Sequence, residues 1–150
     1  MNTIIDQPSI FSLRAAAIIK RNSSVLLSKS DHHAAFYFVG GGIEPNESSD
    51  QAIIRECLEE TSFRFDIDRL VYVQERFYKA DNKQRREITF FYLMKENSFP
   101  IPDGMATDRS DEHLHWIDIE NFKDIDIAPP FMKSGIKNLP AHLTHIISYE

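Results

Sequence analysis

A run of acidic side chains between residues 47 and 60 is the part of this sequence with the clearest chemistry. Glu47 is followed eight residues later by Arg55, and Glu56, Glu59 and Glu60 then place three carboxylates within five residues. Like charges three or four positions apart repel one another on a helix. A hard divalent cation such as Mg2+ turns that repulsion into affinity, because it binds carboxylate oxygens and shares its remaining positions with water and phosphates. The spacing therefore predicts a site that binds a metal ion and, through the metal, phosphate groups.

These acids lie in a segment that we expect to form a helix over residues 48–61. Ser48 and Gln51 match the capping box that begins many helices, and Asp50 suits the positive end of the helix dipole. At about 100° per residue, the three clustered glutamates fall on one face. The opposite face is expected to pack on the core through Ile54, Cys57, Leu58 and Thr61.

Three consecutive glycines, Gly40–Gly42, stand shortly before this helix. Their lack of side chains would let the backbone come close to a metal or a phosphate. The alternative interpretation of the whole stretch is a solvated helix with an acidic face that arose by chance, as most acidic runs are. The loop-then-helix context favours the metal site.

Residues 41–63 resemble the Nudix box of the MutT/Nudix hydrolases. The fixed positions of that pattern are matched by Gly41, Glu47, Arg55, Glu56, Glu59 and Glu60. The sequence departs from the pattern at Ser62, which replaces a glycine, and at Cys57 and Val39, which replace an aliphatic residue and a proline. The flanking segments LRAAAIIKRNSSVLLSKS and HLHWIDIENF are also similar to the opening hairpin and a late strand of the family.

The resemblance implies an α/β fold, a Nudix-type α/β/α sandwich with a mixed β-sheet, as one domain over residues 1–150. It implies Mg2+-dependent hydrolysis of a diphosphate linkage in a nucleoside di- or triphosphate or a related nucleotide, with Mn2+ as an alternative metal. The implied metal ligands are Glu56, Glu59, Glu60 and the Gly41 carbonyl. The resemblance also implies that Arg55 and these three glutamates are the catalytic residues. Arg55 and Glu47 would orient the carboxylates that bind the metal. The general base stays open between a glutamate of the box and an acid on a distant loop.

Other residues are weaker candidates for the same site. Asp111 and Glu112 could supply a further acid, with Glu75 and Glu87 behind them. Possible substrate contacts are Arg14, Phe36 and Tyr78, with Phe38 and Phe77 as further aromatic candidates for stacking on a nucleobase. The histidines at 32, 33, 113 and 115 are more simply explained as solvated or strand residues than as a zinc site, for which further ligands are not evident.

Composition limits the classes of protein that this chain can belong to. It has 17 basic and 23 acidic residues, a formal net charge of −6, so broad binding to nucleic acid backbones is not expected. One cysteine excludes an internal disulfide and suits a reducing compartment. No apolar run approaches the ~20 residues of a membrane span, and the first twelve residues do not look like a signal peptide. We expect a cytoplasmic protein with a small-molecule nucleotide substrate; a homodimer is left open.

The remaining sequence favours strands over helices. We expect a strand pair around the turn Arg21-Asn22-Ser23, a hairpin around KADNKQR, and a loop over residues 98–104. The predicted strands are 10–20, 24–29, 36–39, 69–77, 86–94, 113–119 and 144–149, with a second helix over 131–138. The alternative to an enzyme is a catalytically silent Nudix-like domain that binds a nucleotide and regulates a partner. Such domains usually lose acids of the box, and this chain keeps all four glutamates.

Overall fold

The described part of the chain folds into a mixed β-sheet with helices on both faces. The computed structural model describes residues 9–150; residues 1–8, which belong to the segment where no signal peptide is expected, lie outside it. The strands are β1 (Ser9–Ile18), β2 (Lys20–Arg21), β3 (Ser24–Ser30), β4 (Phe36–Gly42), β5 (Ile67–Ala80), β6 (Lys83–Met94), β7 (Glu112–Asp118), β8 (Ile127–Ala128) and β9 (Thr144–Tyr149). The helices are α1 (Ser49–Thr61), a 3₁₀ helix (Ile119–Asp124) and the single turn α2 (Met132–Gly135).

The sheet has the order β2-β3-β4-β1-β6-β5-β9, with β7 beside β3 and β8 beside β4. β1 is antiparallel to β4 and parallel to β6, so the sheet is mixed. One face is covered by α1, whose Ala52, Ile53 and Cys57 join one buried cluster. The other face is covered by the 3₁₀ helix and α2, through Phe122 and Met132. The predicted α/β/α sandwich is confirmed, although its second helical layer is short.

The strand bounds differ from the prediction where pairing partners are distant in sequence. The predicted strand 10–20 divides at Ile19, because β1 pairs with β4 and β6 while only β2 continues the hairpin with β3. The strand predicted to end before the glycines continues through Gly42. The hairpin of β5 and β6 closes on only two residues, Asp81 and Asn82, whose φ values of 53° and 59° suit a tight turn between twisted strands. The predicted helix over 131–138 is a single turn.

Helix α1 begins as predicted, and Cys57 and Thr61 of its predicted core face are buried, but Leu58 is not. Ser48 is the N-cap, and both hydrogen bonds of its capping box with Gln51 are present. Leu58, which was expected to face the core, is 49% exposed, whereas Glu56 and Glu60 are only 6% and 3% exposed. The buried face therefore includes two glutamates in addition to the apolar residues. In residues 9–150, no helix is long and apolar enough to span a membrane.

Helix α1 ends at Ser62, which has φ 70° and ψ 9°, the left-handed conformation that a glycine commonly adopts just after a helix. A residue with a Cβ occupies that region at a cost of about 1 kcal/mol. We therefore expect Ser62→Gly to raise the free energy of unfolding by up to about that amount, less the larger chain entropy of unfolded glycine. Turnover should stay nearly unchanged.

Thermal unfolding and steady-state kinetics of the two proteins would check this expectation. Ser134→Gly in α2 is the matched control, because Ser134 lies in an ordinary helical conformation and its replacement should destabilise the fold. A tenfold loss of turnover in Ser62→Gly, without a gain in stability, would show that the serine hydroxyl has a role of its own.

Candidate active site

Helix α1 and strand β4 bring two glutamates against the glycine backbone. The Gly40 N–H donates a hydrogen bond of 2.8 Å to Glu60 Oε2. A Cβ at Gly41 would lie 2.5 Å from Glu56 Oε1, and one at Gly40 would lie 2.1 Å from the Ala15 carbonyl oxygen. The glycines are needed here because the Glu56 carboxylate and strand β1 occupy the space that side chains would take. This packing fixes two buried carboxylates at one end of the sheet.

Arg55 organises the acids of the helix from its more exposed side. Its Nε lies 3.0 Å from Glu47 Oε2, and its Nη2 pairs with the other oxygen of the same carboxylate. Its Nη1 donates to Glu56 Oε1 at 2.9 Å and to Glu59 Oε2 at 3.2 Å. The bidentate pair raises the pKa of the guanidinium and lowers the pKa of the Glu47 carboxyl. Glu47 is therefore an ionised anchor for Arg55, which in turn holds two of the clustered glutamates.

Glu60 has the most perturbed electrostatics of the cluster. Burial, together with the neighbouring carboxyl groups of Glu112 and Glu56, raises the pKa of Glu60 to about 9. Burial also raises the pKa of Glu56, although the hydrogen bond and charge of Arg55 act in the opposite direction. Carboxylates that are crowded and dehydrated in this way hold a proton unless a cation compensates their charge. The electrostatics are those of a site that lacks positive charge.

The donor set fits a hard divalent cation, but the side chains are not arranged around one. Within residues 9–150, no three His, Cys, Asp or Glu side chains form a group ready to hold a metal. The Arg55 guanidinium instead lies between Glu56 and Glu59 and pairs with both. Buried carboxylates beside a glycine backbone are nonetheless the oxygen-rich chemistry that Mg2+ selects. The side chain of Glu59 is 44% exposed, so that it could leave Arg55 and turn toward such an ion.

The two loop acids lie in different places. Glu112, at the start of β7, is 8% exposed and lies beside Glu60 in a cavity of about 240 Å³. Asp111 accepts a 3.1 Å hydrogen bond from Ser30 and lies 3.4 Å from His32, outside that cavity. Of this pair, the structure brings Glu112 to the glutamates of the helix and leaves Asp111 at the loop surface.

A second cavity of about 280 Å³ lies beside the first one and shares part of its wall; the two cavities together are called the cleft below. Arg14, Tyr37 and Phe38 line both cavities, and Tyr78 lines only the second. In the part of the chain that the structure describes, the Arg14 guanidinium has neither a hydrogen-bond nor an ion-pair partner. Phe36 packs against the hydrophobic cluster and meets His115 edge-on at 6.0 Å, so it lines neither cavity. The neighbouring Tyr37, which the sequence analysis did not name, lines the cavities where Phe36 was expected.

The other candidates lie outside the acidic end. Glu75 is paired with Arg86 and His145, while Glu87 lines the second cavity. His115 lies 3.6 Å from Asp103, and nothing among the described residues completes a zinc site around it. Cys57 is fully buried, and burial raises the pKa of its thiol, which suits packing rather than nucleophilic attack.

The architecture and this acidic cleft are those of a Nudix protein, and comparison with known families agrees. A family model for the NUDIX domain matches residues 12–139. The chain belongs to the Nudix family, and its identification as a MutT/Nudix hydrolase is confirmed. The matched residues include the glycines of β4, helix α1 and the Ser62 cap.

Two curated relatives show the range of proteins to which the chain is similar. A CTP pyrophosphohydrolase from Escherichia coli (strain K12) is 29% identical over 120 residues, which cover 76% of this chain and 81% of the relative. The diphosphoinositol polyphosphate phosphohydrolase 3-alpha of Mus musculus is 33% identical over 118 residues, covering 76% and 68%. Both names describe hydrolysis at phosphate groups.

Solved structures agree on the fold. A NUDIX hydrolase from Nitrosomonas europaea superposes with a TM-score of 0.64 at 20% identity, covering 84% of this chain and 86% of that one. A MutT protein from Methanosarcina mazei Go1 superposes with a TM-score of 0.65 at 16% identity, covering 89% and 94%. At such identities the similarity shows the architecture alone.

Proposed function

We propose that this Nudix hydrolase cleaves a diphosphate linkage in a nucleoside di- or triphosphate or a closely related nucleotide, in a Mg2+-dependent reaction that releases a nucleoside monophosphate-type product. The observation that carries the proposal is the pair of buried glutamates, Glu56 and Glu60, which pack against the glycines of β4 where Glu60 lines a cavity. A divalent cation would compensate the charge of both carboxylates in place of the proton that burial favours on Glu60, and would in turn bind phosphate. The functional unit that we propose is one Nudix domain over the whole chain.

Each residue of the cluster has a separate task in this proposal. Glu56, Glu59, Glu60 and the Gly41 carbonyl would hold Mg2+ or Mn2+, which when bound neutralises charge on the phosphoryl oxygens and lowers the pKa of water. Arg55 keeps the carboxylates of Glu56 and Glu59 oriented. Glu47 fixes Arg55 through two hydrogen bonds, so its loss would loosen the whole cluster.

We assign the additional acid to Glu112 rather than Asp111. Glu112 lies beside Glu60 within the cavity, and its carboxyl group is one cause of the raised pKa of Glu60. A carboxylate in the wall of the cavity is placed to accept a proton from a water molecule. The candidates for the general base are therefore Glu112 and the glutamates of the helix.

Arg14 supports the substrate class. Its guanidinium lines both cavities of the cleft and has no partner among the described residues, so it is available to an anionic ligand. Tyr37, Phe38 and Tyr78 add aromatic surface in the second cavity, where a nucleobase could stack. The E. coli relative, which is named for hydrolysis of CTP, supports a nucleotide as the substrate.

Removal and return of metal provide the direct test. With a panel of nucleoside di- and triphosphates, we expect EDTA to abolish release of monophosphate, and Mg2+ or Mn2+ to restore it. Activity should rise with pH into the alkaline range, because both the water and the carboxyl base lose protons there. Undiminished turnover by the metal-stripped protein would refute the proposed role of the acidic cluster.

A further inference from the structure

The second cavity has one carboxylate in its wall, and nothing in the reaction at the acidic end uses it. Glu87, on strand β6, lines this cavity together with Arg14, Arg76, Tyr78 and Thr89. Its side chain is 15% exposed, so it is held in the wall and still reaches the open space. A half-buried carboxylate facing a cavity is a strong acceptor of hydrogen bonds and cannot donate them when ionised.

Glu87 keeps most of its hydrogen-bonding capacity free. Ser12 Oγ lies 3.3 Å from its Oε2, and Thr89 Oγ1 lies 3.5 Å from its Oε1, both long contacts. The nearest cation, Arg76, is 4.0 Å away. That guanidinium is already fixed by two hydrogen bonds to Glu150, of 2.6 and 2.8 Å, and lies 4.2 Å above the Tyr78 ring. Since Arg76 is fixed by Glu150 and each oxygen of Glu87 accepts only one long hydrogen bond, each oxygen keeps a lone pair for a ligand.

The sheet places Glu87 at a suitable distance from the acidic end. Glu87 pairs with Ser12 on β1, whereas Gly40, which holds Glu60, pairs with Ala16 on the same strand. Four residues along a strand span about 13 Å. If the base of a nucleotide contacts Glu87, its sugar and phosphates can therefore extend past Arg14 toward Glu60. The cavity, at about 280 Å³, is near the lower limit of pockets for small ligands and suits a planar ring system.

The chemistry of Glu87 distinguishes among bases. Enzymes recognise an unpaired base through its Watson–Crick edge and by stacking. Guanine presents two adjacent N–H donors there, N1–H and the N2 amino group, which a carboxylate accepts with both oxygens. Adenine and cytosine place a ring nitrogen lone pair beside their amino group, and this lone pair would face the second oxygen. Uracil offers one N–H between two carbonyl oxygens.

We infer that Glu87 makes the second cavity selective for guanine, so that the preferred substrates of this hydrolase are guanine nucleotides. The statement about preferred substrates rests on the proposed function, because it assumes that nucleotides are hydrolysed. The selection of the base depends on Glu87 alone and needs no metal. A well-placed bidentate contact discriminates against the wrong base by about ten- to a hundredfold.

The first experiment compares kcat/KM for GTP, ITP, ATP, CTP and UTP in the same Mg2+ buffer. We expect GTP to exceed the adenine and cytosine nucleotides by at least about tenfold. ITP, which lacks only the N2 amino group, should fall below GTP. Equal values for all five, or a preference for CTP, would overturn the inference while leaving the proposed hydrolysis intact.

The second experiment changes Glu87 and keeps its size. Glu87→Gln replaces one acceptor oxygen by a donor, which suits the donor–acceptor edge of adenine or cytosine. The ratio of GTP to ATP in kcat/KM should therefore fall at least about tenfold. Glu75→Gln is the matched control, because Glu75 lies on the same hairpin but points to the opposite face of the sheet, toward Arg86 and His145. An unchanged ratio in Glu87→Gln would refute the role of Glu87.

Binding without catalysis separates the two proposals. Calorimetric titration with GDP, ADP and CDP in EDTA tests the cavity even if none of these nucleotides is hydrolysed. Tighter binding of GDP to the wild-type protein, lost in Glu87→Gln and kept in Glu75→Gln, supports the inference in that case as well. Equal binding of the three nucleotides to the wild-type protein would overturn it.

Discussion

Replacement of Glu60 by Gln should reduce turnover about a thousandfold. The change removes one charge from the proposed metal site, and a bound metal contributes several kcal/mol of charge stabilisation in such reactions. The amide oxygen of Gln can still accept the hydrogen bond from Gly40, so the local packing should persist. Steady-state kinetics at saturating Mg2+ measure the effect. Wild-type turnover in this variant would show that Glu60 does not hold the metal.

The same variant should be more stable than the wild type when metal is absent. The pKa of Glu60 is raised to about 9 in the folded protein from an ordinary value of 4.5, so between these limits the folded state keeps a proton that the unfolded state releases. The free energy of unfolding should therefore fall as pH rises from about 5 to 9, by at most about 1.4 kcal/mol per pH unit. Glu60→Gln removes this dependence.

Chemical denaturation in EDTA at several pH values would measure both effects. The exposed residue Glu96 supplies the control, because Glu96→Gln makes the same change of charge outside the cleft and should leave the pH profile of stability unaltered. If Glu60→Gln and the wild type share one pH profile, the buried carboxyl of Glu60 is not the group that titrates.

Features that depend on neighbouring residues were predictable from the sequence. The capping box at Ser48 and the left-handed residue at Ser62 each follow from a few adjacent residues, and both are present. The buried face of α1 was predicted less well. Cys57 and Thr61 are buried as predicted, but hydrophobicity also placed Leu58 in the core and the glutamates on the opposite face, since burial of a carboxylate is costly. At the proposed metal site the fold bears that cost, so hydrophobicity along the helix does not predict which residues are buried.

The second cavity was not predictable, because its walls come from strands far apart in sequence. Glu87 meets Ser12 and Arg76 only through the pairing of β6 with β1 and β5. Tyr37 faces the cleft beside β8, whose Ala128 is 91 positions later in the chain. No local periodicity specifies such registers. The family resemblance supplied the fold, but the side chains that line the cleft depend on this chain's own strand register.

The glycines Gly40, Gly41 and Gly42 should respond to alanine in three different ways. At Gly40 the added Cβ would lie 2.1 Å from the backbone oxygen of Ala15, which cannot move without shifting β1. We expect Gly40→Ala to lose roughly 3 kcal/mol or more of stability, or to fail to fold. At Gly41 the Cβ would meet the end of the Glu56 side chain at 2.5 Å, and a flexible side chain can turn away.

Gly41→Ala should therefore fold and yet lose activity. Its stability should fall by about 1–3 kcal/mol, while turnover should fall about a hundredfold, because a displacement of about 1 Å in a catalytic group has that effect. Gly42→Ala is the matched control, since nothing lies within 4 Å of the added Cβ and the Arg55 contact uses only the carbonyl oxygen of Gly42. The free energy of unfolding of Gly42→Ala should rise by about 0.4–1 kcal/mol, because alanine lowers the entropy of the unfolded chain. Its turnover should stay within about twofold of the wild type.

Denaturation and kinetics on the three variants would separate the two functions of the glycine segment. If close packing of β4 on β1 were the only requirement, stability and turnover would fall together in each variant. The geometry instead predicts that they separate at Gly41, because the atom displaced there belongs to Glu56 and not to the backbone. A Gly41→Ala protein with full turnover would mean that the position of the Glu56 carboxylate does not matter for the reaction. Glu59 and Glu60 would then have to hold the metal without it.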